Sequence, residues 1–187
     1  SGIFQLLFGN SIEDVEKIII TASGGKFRNW SKDQIRNVTL KQASEHPTWK
    51  MGKRITIDSN SMFNKAMELI ETKEFFEIDH KKIEVLVHSQ SIVHALVCFC
   101  DGGMLAHLSA HNMKHAINYA LNWPSRRNST VKSLDLTKVP PLSFENVRED
   151  IFPALKLARA VMDAGGLRGT VFNAAKEIAL DRFISSE

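Results

Sequence analysis

The sequence is poor in cysteine, nearly balanced in charge and without a long apolar run. Cys98 and Cys100 are its two cysteines, two apart in a strand-like stretch. Their side chains share a face, and neighbours on one strand rarely bridge. A disulfide scaffold is therefore excluded, and two reduced, buried thiols in a reducing compartment are predicted. A cysteine-based metal site needs further ligands at suitable spacing, and none lies nearby. The 24 basic and 21 acidic residues leave a net charge of +3. That is too little for a nucleic-acid binder working by bulk electrostatics, although it permits a local basic pocket. No apolar run approaches the roughly 18 residues that a membrane span requires, so no membrane association is expected. The first residues lack a basic stretch followed by a long apolar one, so no secretory leader is expected in them. No repeat or low-complexity segment occurs. What is there is 187 residues, 43% hydrophobic and 24% charged, enough for one large core or two small domains.

The most informative stretch runs from Ile55 to Glu71. Ile55 and Ile57 alternate with Thr56 and Asp58, which predicts a short strand. Ser59, Asn60 and Ser61 then offer cap oxygens, and a helical pattern begins with Met62, Ala66, Leu69 and Ile70 on an inward stripe. Asn64 and Glu68 are four apart, and Lys65 and Glu68 three apart. Their amide, ammonium and carboxylate therefore gather on one side of the helix. The first N–H groups of a helix are unpaired and attract anions. A phosphate held by Ser59, Asn64 and Lys65 would leave Glu68 beside it to bind a hard divalent cation. The same residues also suit an ordinary surface helix, where a Lys–Glu pair contributes only about 0.2–0.5 kcal/mol.

Elsewhere the pattern predicts an α+β fold. Val15–Ala22 reads as a buried strand running into Ser23-Gly24-Gly25, a loop through which backbone can approach a ligand, or a plain turn. Ser31 and Thr39 cap two short helices. The segment from His46 to Lys53 interleaves Trp49 and Met51 with two lysines. It suits either a mobile flap hinged at Gly52 or a loop pinned by Trp49. Strands are predicted over Ile83–His88, Ile92–Cys100 and Met104–Leu108, the last two joined by the turn Asp101-Gly102-Gly103. His88, His94 and His107 lie on or beside them, where histidines are more often structural than catalytic. Met113–Trp123 reads as an amphipathic helix with Met113, Ile117, Ala120 and Leu121 inward. Residues 1–123 thus form a domain with a mixed sheet and helices, and 124–143 an extended connection. Residues 144–187 hold two helical patterns, over Pro153–Asp163 and Thr170–Ile184. Two helices bury little alone, so these read as part of a larger helical bundle.

Several stretches together resemble the 1-deoxy-D-xylulose 5-phosphate reductoisomerase family. They are Ser23-Gly24-Gly25 with Phe27-Arg28, the run His46-Pro47-Thr48-Trp49-Lys50-Met51-Gly52-Lys53, and Ile55 to Glu71. Val87 to His94, Leu134-Asp135-Leu136 and Asn173-Ala174-Ala175 with Glu177 follow in the family's order, covering nearly the whole chain. The resemblance implies an NADPH-dependent enzyme of non-mevalonate isoprenoid synthesis, cytoplasmic in bacteria or in the plastid stroma, and a homodimer when intact. Its substrate would be a sugar phosphate, and Mg²⁺ or Mn²⁺ its metal. Ser23, Ser59, Asn64 and Lys65 are similar to the family's phosphate ligands. Glu68 resembles one of its three metal carboxylates. His46, Trp49, Met51 and Gly52 lie on what resembles its flap, Trp49 over the substrate and Met51 with Gly52 at the nicotinamide. His88 matches another active-site histidine. Lys65, His46, His88 and Glu68 are thus the expected catalytic residues.

The sequence also departs from the family. The other two metal carboxylates belong to an Asp-Ser-Glu-His motif that in the family precedes a segment like Ile3-Phe4-Gln5, and this sequence does not include it. It also lacks the family's N-terminal domain, which binds most of the NADPH. Lys26 and Ser89 stand where the family usually has proline, which alters loop stiffness. The chain alone is therefore expected to be inactive. A metal-dependent sugar-phosphate isomerase or aldolase without nicotinamide is one alternative. A non-catalytic dimerisation module built on the Ile92–Leu108 hairpin is the other.

Overall fold

The computed structural model describes residues 1–49 and 51–185. In chain order its regular elements are α1 (Gly2–Leu7), β1 (Val15–Ala22), α2 (Lys32–Arg36), α3 (Leu40–Ala43), α4 (Lys53–Asn60) and α5 (Phe63–Phe76), then β2 (Ile83–Val87), β3 (Val93–Phe99), β4 (Met104–Leu108), α6 (Lys114–Asn122), β5 (Glu145–Asn146), α7 (Ala154–Ala164) and α8 (Arg168–Ser185). The fold is α+β with a five-stranded mixed sheet in the order β4-β3-β1-β2-β5. The chain divides into two compact units, Ser1–Ser23 with Glu84–Glu145, and Gly24–Ile83 with Asn146–Glu187.

The first unit is built on the sheet. In β1, Ile18, Ile19 and Ile20 are all buried, as expected of a strand covered on both faces rather than one. β1 pairs antiparallel with β3, Ile18 opposite Val97 and Ile20 opposite Ala95. β3 pairs antiparallel with β4, Val97 opposite Leu105. The hairpin turn uses Gly102 at φ +84°, and Asp101 Oδ1 accepts the Gly103 N–H at 2.8 Å. This follows the predicted turn. Two expectations fail here. Cys100 is exposed rather than buried, and Cys98 half-buried. Burial pushes the Cys98 thiol up. On α6 the stripe expected to face inward is exposed at Met113, Ile117 and Leu121. Periodicity identifies an apolar stripe but not what covers it.

The second unit is helical. Ser31 and Thr39 each accept an N–H from three residues on, and Gln34 and Gln42 return the bond, completing capping boxes on α2 and α3. The strand expected at Ile55–Asp58 is instead part of α4. Thr56, Ile57 and Asn60 are buried and Ile55 is exposed, which is helical spacing. Alternation over four residues is too short to distinguish the two states, and burial overrides the weak helix preference of β-branched residues. Ser59, Asn60 and Ser61 therefore end α4 rather than cap α5.

Met62 makes the joint between the two helices, with a left-handed backbone at φ +65°. That conformation costs roughly 1–2 kcal/mol outside glycine. Burial of the Met62 side chain, 2% exposed, offsets it by about 1.5–3 kcal/mol. α5 packs on α7 through buried faces that include Ala66, Leu69, Leu155 and Ala158. α8 packs on α7 and α5.

Candidate active site

The second unit gathers most of the expected site residues. Ser59 lies in the last turn of α4, and its Oγ is 3.2 Å from His46 Nε2. The other ring nitrogen, Nδ1, accepts the backbone N–H groups of Thr48 at 3.1 Å and Trp49 at 2.9 Å. An atom that accepts two N–H bonds carries no proton. The neutral His46 ring therefore holds its proton on Nε2 and donates it to Ser59. Because Ser59 accepts in that bond, its own O–H hydrogen is available to donate to an oxyanion. Burial pushes the His46 pKa down, which keeps the ring in this neutral form. Trp49 and Met51 are half-buried and Gly52 is exposed. Gly52 precedes α4 with an ordinary φ of −62°. Lys50, also in the expected flap, lies outside the described residues.

Past the Met62 joint, α5 opens with Asn64 and Lys65 in its first turn. Asn64 Nδ2 donates to Glu68 Oε1 at 2.7 Å, and Lys65 Nζ donates to Glu68 Oε2 at 2.7 Å. The i, i+4 and i, i+3 spacings thus bring three polar heads together. Lys65 is mostly buried, and the Glu68 side chain is 35% exposed. Each Glu68 oxygen takes one donor and keeps a further lone pair. A hard divalent ion wants about six oxygen ligands. Among the described residues no three His, Cys, Asp or Glu side chains lie close enough to hold a metal. Glu68 therefore offers one ligand, and the described residues alone do not make up a metal centre.

Ser23 and His88 belong to the first unit. Ser23 is half-buried just past the end of β1. His88, just past β2, is 0% exposed. Its Nδ1 donates to the Ser143 carbonyl at 2.8 Å, and its ring stacks on Phe144 at 4.7 Å. Nε2 then carries a lone pair, and among the described residues it has no hydrogen-bond partner. Gln90 donates to the Pro141 carbonyl and the Ser143 hydroxyl, so the connecting segment is pinned beside His88. Among the other histidines, His94 donates to the Ser109 carbonyl at 3.1 Å. His107 accepts from the Gln5 amide at 3.3 Å.

Two features escaped the sequence reading. One is an ion-pair network joining α8 to α4. Lys176 pairs with Asp58 at 2.9 Å and with Glu177, and Arg54 pairs with Glu177 and with Asp181. The other is Asn60, expected as a cap and found fully buried. The partners of its carboxamide lie 15 to 34 residues away in sequence, so no local signal reveals them.

Residues 1–76 match the family described as 1-deoxy-D-xylulose 5-phosphate reductoisomerase C-terminal domain, and residues 108–187 the family described as DXP reductoisomerase C-terminal domain. The chain is 59% identical to the 1-deoxy-D-xylulose 5-phosphate reductoisomerase of Cereibacter sphaeroides over 99% of its own length and 47% of the relative's. With that of Ruegeria pomeroyi the identity is 57%, with the same coverage. It therefore spans about half the length of these relatives. Among solved structures it resembles DOX-P reductoisomerase in complex with NADPH, fosmidomycin and magnesium, at a TM-score of 0.92 and 37% identity. That match covers 99% of this chain and 48% of the other. The Zymomonas mobilis enzyme in complex with NADPH matches at a TM-score of 0.89 and 40% identity, with the same coverage. The chain belongs to the 1-deoxy-D-xylulose 5-phosphate reductoisomerase family.

Proposed function

We propose that this chain is the part of a reductoisomerase that anchors the substrate phosphate and carries the flap. The enzyme would convert 1-deoxy-D-xylulose 5-phosphate to 2-C-methyl-D-erythritol 4-phosphate, oxidising one NADPH and consuming one proton. The observation that carries the reading is the placement of Asn64 and Lys65 on Glu68, one joint beyond the Ser59–His46 pair. This gives hydroxyl, amide and ammonium donors for a phosphate and a carboxylate for a cation.

In this reading Ser59, Asn64 and Lys65 bind the phosphate, with Ser23 as a further ligand. His46 holds the Ser59 hydroxyl as an acceptor and steadies the chain at Trp49, whose ring covers the bound sugar. The phosphate is remote from the reacting carbons, so its binding energy offsets the cost of ordering the flap. The Nε2 lone pair of His88 accepts a substrate hydroxyl. Glu68 supplies one ligand to the divalent metal. Met51 and Gly52 meet the nicotinamide. The magnesium and NADPH of the solved relatives supply Lewis-acid polarisation and hydride when bound. With one metal carboxylate among the described residues, the chain alone turns over no NADPH.

The test is a titration of the chain with 1-deoxy-D-xylulose 5-phosphate, followed by tryptophan fluorescence with and without Mn²⁺. A saturable change that disappears in Trp49→Phe is expected. A flat response in the unaltered chain means either that the family's upstream carboxylates and nucleotide domain are needed to order the flap or that the assignment of Ser59, Asn64 and Lys65 is wrong. A flat response that persists in a protein extended through the upstream acidic motif counts against the assignment.

A further inference from the structure

Asn60 is the last residue of α4 and follows Ser59 directly. Among the described residues its carboxamide, shut away from solvent, makes three hydrogen bonds, all to backbone. Oδ1 accepts the Lys26 N–H at 2.7 Å. Nδ2 donates to the Ala43 carbonyl at 2.9 Å and to the Glu45 carbonyl at 2.8 Å. Both amide hydrogens are thus committed, one to the end of α3 and one to the residue before His46. The oxygen is committed to the loop after β1. A side chain that serves only as filling needs none of these bonds. A buried amide that has them fixes three pieces of backbone at once, because leaving any partner unmatched costs its desolvation.

The loop is shaped to the amide in return. Gly25 has φ +63°, and a Cβ there would stand 2.7 Å from Asn60 Oδ1 and 2.8 Å from Asn60 Cα. No side chain fits at that approach, so Gly25 and Asn60 specify each other. Lys26, the residue whose N–H is bound, reaches Glu45 with its own ammonium. That pair closes a second link between the same two segments.

We propose that Asn60 is a positioning residue for the candidate site: it sets the separation of Ser59 and His46 by gripping the chain on the near side of each. Ser59 is its neighbour on α4, and Glu45, whose carbonyl it holds, is the neighbour of His46. The single hydrogen bond between Ser59 Oγ and His46 Nε2 depends on both backbones being held. The consequence for phosphate binding rests on the function proposed above, but the geometric claim does not.

The test uses the full chain with ¹⁵N-labelled histidine. The His46 ring signals are assigned by their loss in His46→Gln, and inorganic phosphate is the probe. In Asn60→Ala, the His46 ring should leave its single Nε2–H tautomer for an averaged state. The midpoint for phosphate should rise about tenfold, the size expected when one or two buried hydrogen bonds are lost. Gly25→Ala, which keeps the carboxamide and displaces it, should move both readouts the same way. Leu155→Ala, in the buried face of α7, is the control for general destabilisation and should leave the His46 ring unchanged. In the unaltered chain, the Asn60 carboxamide protons and the Lys26 amide should exchange slowly with solvent, a measurement that needs no variant. Either Asn60→Ala or Gly25→Ala folding with an unaltered His46 ring overturns the proposal, as does fast exchange of the carboxamide. A His46 ring that shifts in the variants, when the unaltered chain itself binds no phosphate, supports the positioning role and overturns the phosphate reading instead.

Discussion

Ser59 and His46 are joined by one hydrogen bond of 3.2 Å, and the same imidazole accepts the N–H groups of Thr48 and Trp49 on its far side. One ring therefore links a helix-borne hydroxyl to the segment that carries Trp49. The link holds only for the neutral ring, because a proton on Nδ1 would face two N–H donors.

That constraint sets a pH dependence. Burial holds the His46 pKa below its ordinary 6.5, so the unfolded chain takes up the proton first as pH falls. The neutral ring's contribution is complete above the unfolded value. It is lost as pH drops from there through the lower, folded pKa. The Thr48 and Trp49 amides should stay protected from exchange at pH 7.5 and lose protection below about 6.5. In His46→Gln that transition should vanish. Amides that remain protected after the ring has titrated would contradict the linkage.

The α8–α4 network gives a second expectation. Lys176 and Asp58 pair at 2.9 Å with side chains only 9% and 12% exposed. Desolvation works against the Lys176 charge, but bonds to Glu177 and Asp58 outweigh it and raise its pKa. Lys176→Met leaves Asp58 buried without its partner, at a cost of about 3 kcal/mol. Adding Asp58→Asn should recover much of that loss. Urea denaturation of the single and double variants measures both, and equal losses in the two would show that the cost does not come from Asp58 left without its partner.

Legibility in the sequence followed the range of the interaction. β1 was readable because its β-branched run is buried as a block, and α2 and α3 because Ser31 and Thr39 cap within three residues. The Asn64–Glu68 and Lys65–Glu68 contacts follow from helical spacing alone. The strand reading of Ile55–Asp58 failed because four alternating residues carry too little period to outweigh their tertiary setting. Asn60 and the Lys176–Asp58 pair were invisible because their partners are distant in the chain. Lys176 and Asp58 are 118 residues apart.

The exposed stripe on α6 bears on assembly. Met113, Ile117 and Leu121 are exposed, Leu121 by 80%, and an apolar surface of this kind commonly marks an interface. Sedimentation of the chain should show reversible association that Leu121→Glu weakens at least tenfold, since burying one leucine contributes about 1.5–3 kcal/mol. Identical sedimentation of both proteins would remove α6 from the interface.

Glu68 separates a structural from a chemical role most sharply. Its pair with Lys65 is partly open to solvent, and such a pair contributes about 0.3–0.5 kcal/mol. Glu68→Gln keeps the side chain's shape and its bond from Asn64, so the melting temperature should barely move. Removing a negative charge beside Lys65 should leave the binding of inorganic phosphate unchanged or tighten it. Under the proposed function, the same substitution in an enzyme of full family length carrying this chain removes a metal ligand. Residues that only support metal ligands cost about 10–100-fold when changed, so metal-dependent turnover should fall at least 100-fold. Three readouts thus point three ways: stability flat, phosphate binding equal or stronger, turnover lost. Full turnover in Glu68→Gln would end the assignment of Glu68 as a metal ligand. Loss of turnover together with unfolding would return the residue to an ordinary helix pair.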